Sequence, residues 1–230
     1  MIPLRDNIPS DNAPIVTLSI ILANCYVFYL QITSGGPVGF EKFINHWAVI
    51  PVHLFHDPKI YWYSLVTATF LHGGWMHIIG NMVFLYIFGD NVEDRMGHFK
   101  YLIFYLLVGV LANGSQAMIA QTSKIPLIGA SGAIAGVLGS YFFYYPHSKI
   151  LTLVPLGFFI RVMEIPAFLF LGLWFLMQTL NSTVSLSAQM ATKQASGGVA
   201  FIAHAAGFVA GIVFSPFFGD KRSKNPRSCN

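Results

Sequence analysis

Six apolar runs, at 14–33, 74–90, 99–119, 129–145, 166–182 and 199–218, approach or reach the roughly 20 residues a helix needs to cross a hydrocarbon layer. Little chain is left over for a soluble surface. Of the 230 residues only 10% are charged and 55% are hydrophobic, whereas a soluble domain carries about a quarter charged residues. Backbone groups in lipid must be satisfied within their own segment, so the expectation is an all-α, polytopic membrane protein built as a six-transmembrane-helix bundle.

Lys and Arg set the expected orientation. With both ends of the sequence on one side, that side collects Arg5, Arg95, Lys100, Lys149, Arg161, Lys221, Arg222, Lys224 and Arg227. The other side holds Lys42, Lys59, Lys124 and Lys193, so the positive-inside rule puts both termini in the cytoplasm. The expected organisation is a short cytoplasmic tail (1–13), a six-helix domain (14–218) and a basic cytoplasmic tail (219–230). The basic tail reads as a membrane-flanking anchor, not a nucleic-acid site. No signal or transit peptide is evident, which favours a bacterial inner membrane. Cys25 and Cys229 offer no disulfide framework. The loop 34–73, with Trp47, Phe55, Tyr61, Trp62, Tyr63 and Phe70, is expected to lie amphipathically in the interface. The stretch 150–160, broken by Pro155, reads as an interfacial cytoplasmic loop, and 181–198 as a polar link between the last two spans.

Against this background His77 with Asn81, Ser131 and His204 are out of place, because strongly polar side chains at bilayer depth are costly and mark function by default. His77 and Asn81 are four apart and share a helix face. Asn81 lies about seven residues into its span and His204 about as far past Gly197 and Gly198, so at 1.5 Å per residue both sit roughly 10 Å deep. Ser131 opens a short span that starts at Gly129. All three polar points thus reach one depth on the non-cytoplasmic half. Gly132 with Gly136, and Gly207 with Gly211, form small-xxx-small pairs that let two helices approach closely enough for a Ser to His hydrogen bond.

An adjacent imidazole activates a serine hydroxyl as a nucleophile. No Asp or Glu falls in the outer half of any span, so the expected catalytic unit is a dyad, Ser131 and His204. The Asn81 amide, His77 and the Ser131 N–H at a helix start are candidate donors to the oxyanion that forms. Neither HExxH nor a second ligand four residues after His77 is present, which argues against zinc.

HGGWMHIIGN (72–81), GASGAIAG (129–136) and HAAGFVAG (204–211), in that order, resemble the rhomboid intramembrane serine proteases, as does FGDNVEDRMG (88–97). The resemblance implies a six-helix fold, no cofactor, and cleavage of single-span transmembrane substrates in or near the lipid bilayer. It further implies Ser131 as nucleophile, His204 as base, and His77 and Asn81 as oxyanion ligands. It also implies a lateral gate formed by the fifth span and a cap formed by the loop before the sixth. Where some members carry a Trp-Arg pair in the first loop, this chain has Trp62-Tyr63, which leaves no arginine for an anchoring role there.

Blander readings compete. GASG alone is a packing motif, and a lone intramembrane His is a structural hydrogen bonder or part of an ion path. His72 reads as structural support, together with Gly129 and the glycine pairs. Glu93, Asp94 and Arg95 fit either an internal ion-pair network or a solvated turn. A non-catalytic membrane-protein binder or chaperone is the main alternative function. A transporter is disfavoured by the lack of inverted repeats and of intramembrane carboxylates. Substrate identity and oligomeric state are not legible.

Overall fold

The structure, a computed structural model, describes residues 1–156, 159–177, 180 and 201–219. Its helices, in chain order, are α1 (Ile15–Ile32), α2 (Gly36–Trp47), α3 (Pro51–His56), α4 (Pro58–Tyr61), α5 (Ser64–Thr67), α6 (Trp75–Met96), α7 (His98–Ile119), α8 (Ser131–Tyr144), α9 (Ala167–Met177) and α10 (Phe201–Phe218). Among the described residues, α1, α7 and α10 are each long and apolar enough to cross a membrane. The protein is therefore a largely helical membrane protein.

The bundle centres on α8. Gly132, Ala133, Ile134, Ala135, Gly136, Val137, Leu138, Gly139, Ser140 and Tyr141 are all buried, so this 14-residue helix is enclosed by protein on every side. Its glycines explain how. A side chain on Gly207 or Gly211 of α10 would run into the carbonyl of Gly132 or Gly136, and one on Gly139 would run into the carbonyl of Phe208. Towards α7, a Cβ on Gly132 would lie 2.7 Å from Ala112 Cβ, and one on Gly136 2.6 Å from Val108 Cγ2. Helices α7, α8 and α10 thus meet at backbone distance.

The loop 34–73 folds into the short helices α2 to α5 and a 3-10 turn, Ala68–Phe70. Val49 and Leu127 exchange backbone hydrogen bonds of 3.2 and 2.8 Å, and Asn113 of α7 donates to the Leu65 carbonyl at 2.9 Å. These bonds fasten the loop over the end of the bundle that holds Ser131.

At the opposite end Glu93 neither sits in a solvated turn nor simply bridges the second and third spans. Its buried carboxylate accepts from the N–H groups of Val16 and Thr17 at 2.8 and 2.7 Å and from the Thr17 hydroxyl at 2.7 Å. It therefore caps the positive end of α1, while His98, opening α7, pairs with Oε1, the same oxygen that accepts from Val16. Asp94 binds the backbone of Asp11 and Asn12, and Asp90 accepts from Ser10. Arg95 stacks over the ring of Tyr144.

The all-α expectation is corrected. Three antiparallel strands, β1 (Ile2–Asp6), β2 (Lys149–Leu156) and β3 (Phe159–Pro166), form a sheet in that order. The segment expected as an interfacial loop is a hairpin, and the supposed tail 1–13 supplies its third strand. Pro155 is tolerated because it lies past Leu153, where the pairing of β2 with β1 ends and β2 becomes an edge. The linker 181–198 and the basic tail beyond Gly219 lie outside the described residues.

Candidate active site

Ser131 opens α8 and His204 sits one turn into α10, and the contact between the Gly132 carbonyl and Gly207 brings these starts together. The Ser131 hydroxyl lies 2.6 Å from His204 Nε2. His204 is buried, with the rings of Trp174 from α9 at 6.0 Å and Phe201 at 6.4 Å. On the far side of the helix start, the Ala203 N–H donates to Gln116 of α7 at 3.3 Å. An Nε2 this close to a hydroxyl can accept its proton if the ring's own hydrogen is on Nδ1.

Gly129 turns the chain into α8 with φ +124°, a conformation L side chains rarely adopt. A Cβ there would lie 2.9 Å from His77 Nε2 and 3.5 Å from Ser131 Oγ, so the glycine leaves an opening between the two. His77 Nδ1 accepts the Gly73 N–H at 3.3 Å. An accepting Nδ1 leaves the ring hydrogen on Nε2, which makes that atom a donor facing the opening. The Ser131 N–H belongs to the first turn of α8, where no intrahelical acceptor exists.

Asn81 is buried one turn below His77, and its Nδ2 lies 3.0 Å from His72 Nε2. His72, expected as structural support apart from the site, is in contact with it: its ring also meets that of His77 edge-on at 5.1 Å. Its backbone is gripped in turn by Gln31 of α1, which accepts the His72 N–H and donates to the His72 carbonyl, both at 3.0 Å. Gln31 was not singled out in the sequence, although an amide within an apolar run was the available signal. One of the two N–H bonds of Asn81 thus fixes its orientation against His72.

Among the described residues no cluster of three His, Cys, Asp or Glu could hold a metal. A partly exposed serine hydroxyl against a buried imidazole, with donors lining an opening beside them, is an arrangement able to attack a carbonyl and stabilise the charge that results.

Fold and site together define a helical membrane protein with a serine–histidine pair at the start of two closely packed helices. The Rhomboid domain model matches residues 59–221, and the chain belongs to that family. It is 30% identical over 192 residues to "Rhomboid-like protein 11, chloroplastic" of Arabidopsis thaliana, covering 81% of this chain and 63% of that protein. It is 27% identical over 140 residues to "Rhomboid protease GlpG" of Haemophilus influenzae, covering 61% and 68%, and 32% identical over 127 residues to "Rhomboid protease GluP" of Bacillus subtilis, covering 55% and 24%. The chain thus spans less than two thirds of the length of the Arabidopsis relative, and α1 with Gln31 precedes the family match.

Proposed function

We propose that this protein is an intramembrane serine endopeptidase that cleaves single-span transmembrane proteins within or near the bilayer. The observation that carries the reading is the 2.6 Å approach of Ser131 Oγ to His204 Nε2. His204 takes the hydroxyl proton as Oγ bonds to the substrate's carbonyl carbon. The charge moved onto the carbonyl oxygen is met by His77, Asn81 and the Ser131 N–H. Collapse of this intermediate breaks the C–N bond, and His204 returns the proton to the leaving amine. A water, deprotonated by His204, then hydrolyses the ester and restores Ser131.

A six-span topology with the interfacial loop 34–73 and both termini of this sequence in the cytoplasm fits the reading. So does a bacterial inner membrane, although the relatives include a chloroplast protein. No cofactor is required by the steps above. The rival reading is a non-catalytic membrane-protein binder on the same scaffold, since some relatives are named only as rhomboid-like. Reaction of wild type, Ser131→Ala and His204→Ala with a fluorescent fluorophosphonate, beside cleavage of a transmembrane reporter in liposomes, separates the two. A Ser131 adduct and cleavage lost in both variants are expected. Cleavage undiminished by Ser131→Ala, or no adduct in folded wild type, would overturn the assignment.

A further inference from the structure

The β1–β3 sheet lies at the bundle end away from Ser131, and its surface is unlike that of a sheet in water. Phe159, Ile160, Val162 and Ile2 are 75, 68, 56 and 55% exposed. Register sorts them. Ile2, Leu153 and Val162 pair across the three strands and share one face with Ile160, whereas Pro3, Ile150 and Thr152 point the other way and are buried against the bundle. The outer face is thus apolar towards the hairpin tip and charged at its base, where Arg5 pairs with Leu151 and Lys149 bridges to Glu164 at 3.0 Å. Arg161 projects near the tip on the opposite face, also exposed.

This apolar face is continuous with the membrane-spanning surface. Ile2, Pro3 and Leu4 line one end of an apolar groove of about 720 Å³ that follows α1 and α6 as far as Ile32 and Trp75. A contiguous exposed apolar patch of this kind marks a contact surface. Its depth is bounded from the other side, because the unpaired backbone groups along β1 and β3 cannot be left in hydrocarbon. The position that satisfies both demands is the headgroup layer. Among the described residues no carboxylate forms an ion pair with Arg5 or Arg161, and Asp6 is turned inward to Asn91 and Tyr141. On the outer face the charge left without an ion pair is that of Arg5, and a positive group there complements lipid phosphates.

We propose that the β1–β3 sheet is a membrane-docking surface that inserts Ile2, Ile160 and Val162 at the acyl–headgroup boundary and prefers an anionic phospholipid surface through Arg5. Docking would also seat the foot of α9. Ala167 donates to the Ser148 carbonyl at 2.7 Å and Phe168 to the Pro146 carbonyl at 2.9 Å, and about two turns on Trp174 packs beside His204. The inference rests on membrane residence and is independent of proteolysis.

The test uses the full chain with Cys25→Ser and Cys229→Ser, a single cysteine introduced as Ile160→Cys or Val162→Cys, and a nitrobenzoxadiazole label, in liposomes of phosphatidylcholine with or without phosphatidylglycerol. Both labels are expected to emit to the blue of their position in water and to be quenched by lipids carrying a nitroxide near the headgroup. The shift should grow with phosphatidylglycerol, and Arg5→Glu should remove that increment. Water-like emission with free access to iodide overturns the proposal. A blue shift without lipid quenching, accompanied by energy transfer between labelled copies, overturns it in favour of edge pairing between two chains. A shift indifferent to phosphatidylglycerol overturns the anionic preference.

Discussion

Asn81 and His72 are joined at 3.0 Å between Nδ2 and Nε2, so a side chain that precedes α6 sets the orientation of one buried within it. Gln31 completes the chain by holding the His72 backbone from α1. Gln31→Leu leaves a buried N–H and a buried carbonyl unpaired, at a cost of about 1–3 kcal/mol for such a group. On the proposed mechanism, cleavage of a reporter should fall on the order of 10- to 100-fold, because a misplaced catalytic group is penalised far more than its binding contribution suggests. Gln31→Glu keeps the acceptor and loses the donor, and should fall between. Thermal unfolding and reporter cleavage in liposomes measure the two effects separately.

On the proposed mechanism, His77→Phe and Asn81→Ala each remove one donor to the developing oxyanion. Each should lower kcat about 100- to 1000-fold with KM little changed, since the lost interaction belongs to the transition state. A KM effect of the same size with kcat intact would assign these residues to substrate binding instead.

The meeting of α8 with α10 could be anticipated from spacing alone, because glycines four apart on both segments have no better use than close approach. The sheet could not. Strands β2 and β3 carry apolar residues on both faces, so the alternation that betrays a half-buried strand is missing, and Pro155 argues against a strand at all. The strand β1 that pairs with β2 lies some 150 residues away in the chain, beyond the reach of any local pattern. The role of Glu93 was hidden for a similar reason: a carboxylate beside Asp94 and Arg95 looks like part of a charged turn until α1 arrives with its unpaired N–H groups. Gln31 was hidden as a single amide within an apolar run.

Close approach makes Gly207 intolerant. A methyl group there meets the Gly132 carbonyl, so Gly207→Ala must push α10 from α8 and lengthen the Ser131 to His204 contact. A loss of about 1–3 kcal/mol is expected, as for other overpacked sites, together with loss of fluorophosphonate labelling. Gly114 of α7 is the control. Nothing lies within 4 Å of a Cβ added there, and Gly114→Ala should stabilise by about 0.5–1 kcal/mol with labelling unchanged.

Removing the α1 cap should act on stability without touching the chemistry. Glu93→Ala leaves the Val16 and Thr17 N–H groups without their acceptor in a buried site, and should cost about 1–3 kcal/mol. Glu93→Gln retains one acceptor oxygen and loses the charge that opposes the helix dipole, and should cost less. Thermal unfolding in detergent ranks the three proteins, and fluorophosphonate labelling of the folded variants should match wild type.

The anchor of β1 carries a pH signature. Burial pushes the Asp6 carboxyl up from its ordinary value to about 6, with the nearby Asp90 adding to the rise and the Tyr141 hydroxyl, which donates to Asp6, opposing it. The folded state therefore holds this proton more tightly than the unfolded chain, where the group titrates near 3.8. Linkage fixes the sign: the contribution is fully present below about pH 4, is lost as pH rises to about 6, and is flat above that. Asp6→Asn keeps an oxygen that can accept from Asn91 and Tyr141 and cannot ionise. The melting temperature of wild type should thus fall relative to Asp6→Asn across this window. Hydrogen exchange at the amides that pair β1 with β2, corrected for its intrinsic dependence on pH, should lose protection over the same range in wild type alone. Parallel pH profiles for the two proteins would show that Asp6 titrates as it does in the unfolded chain.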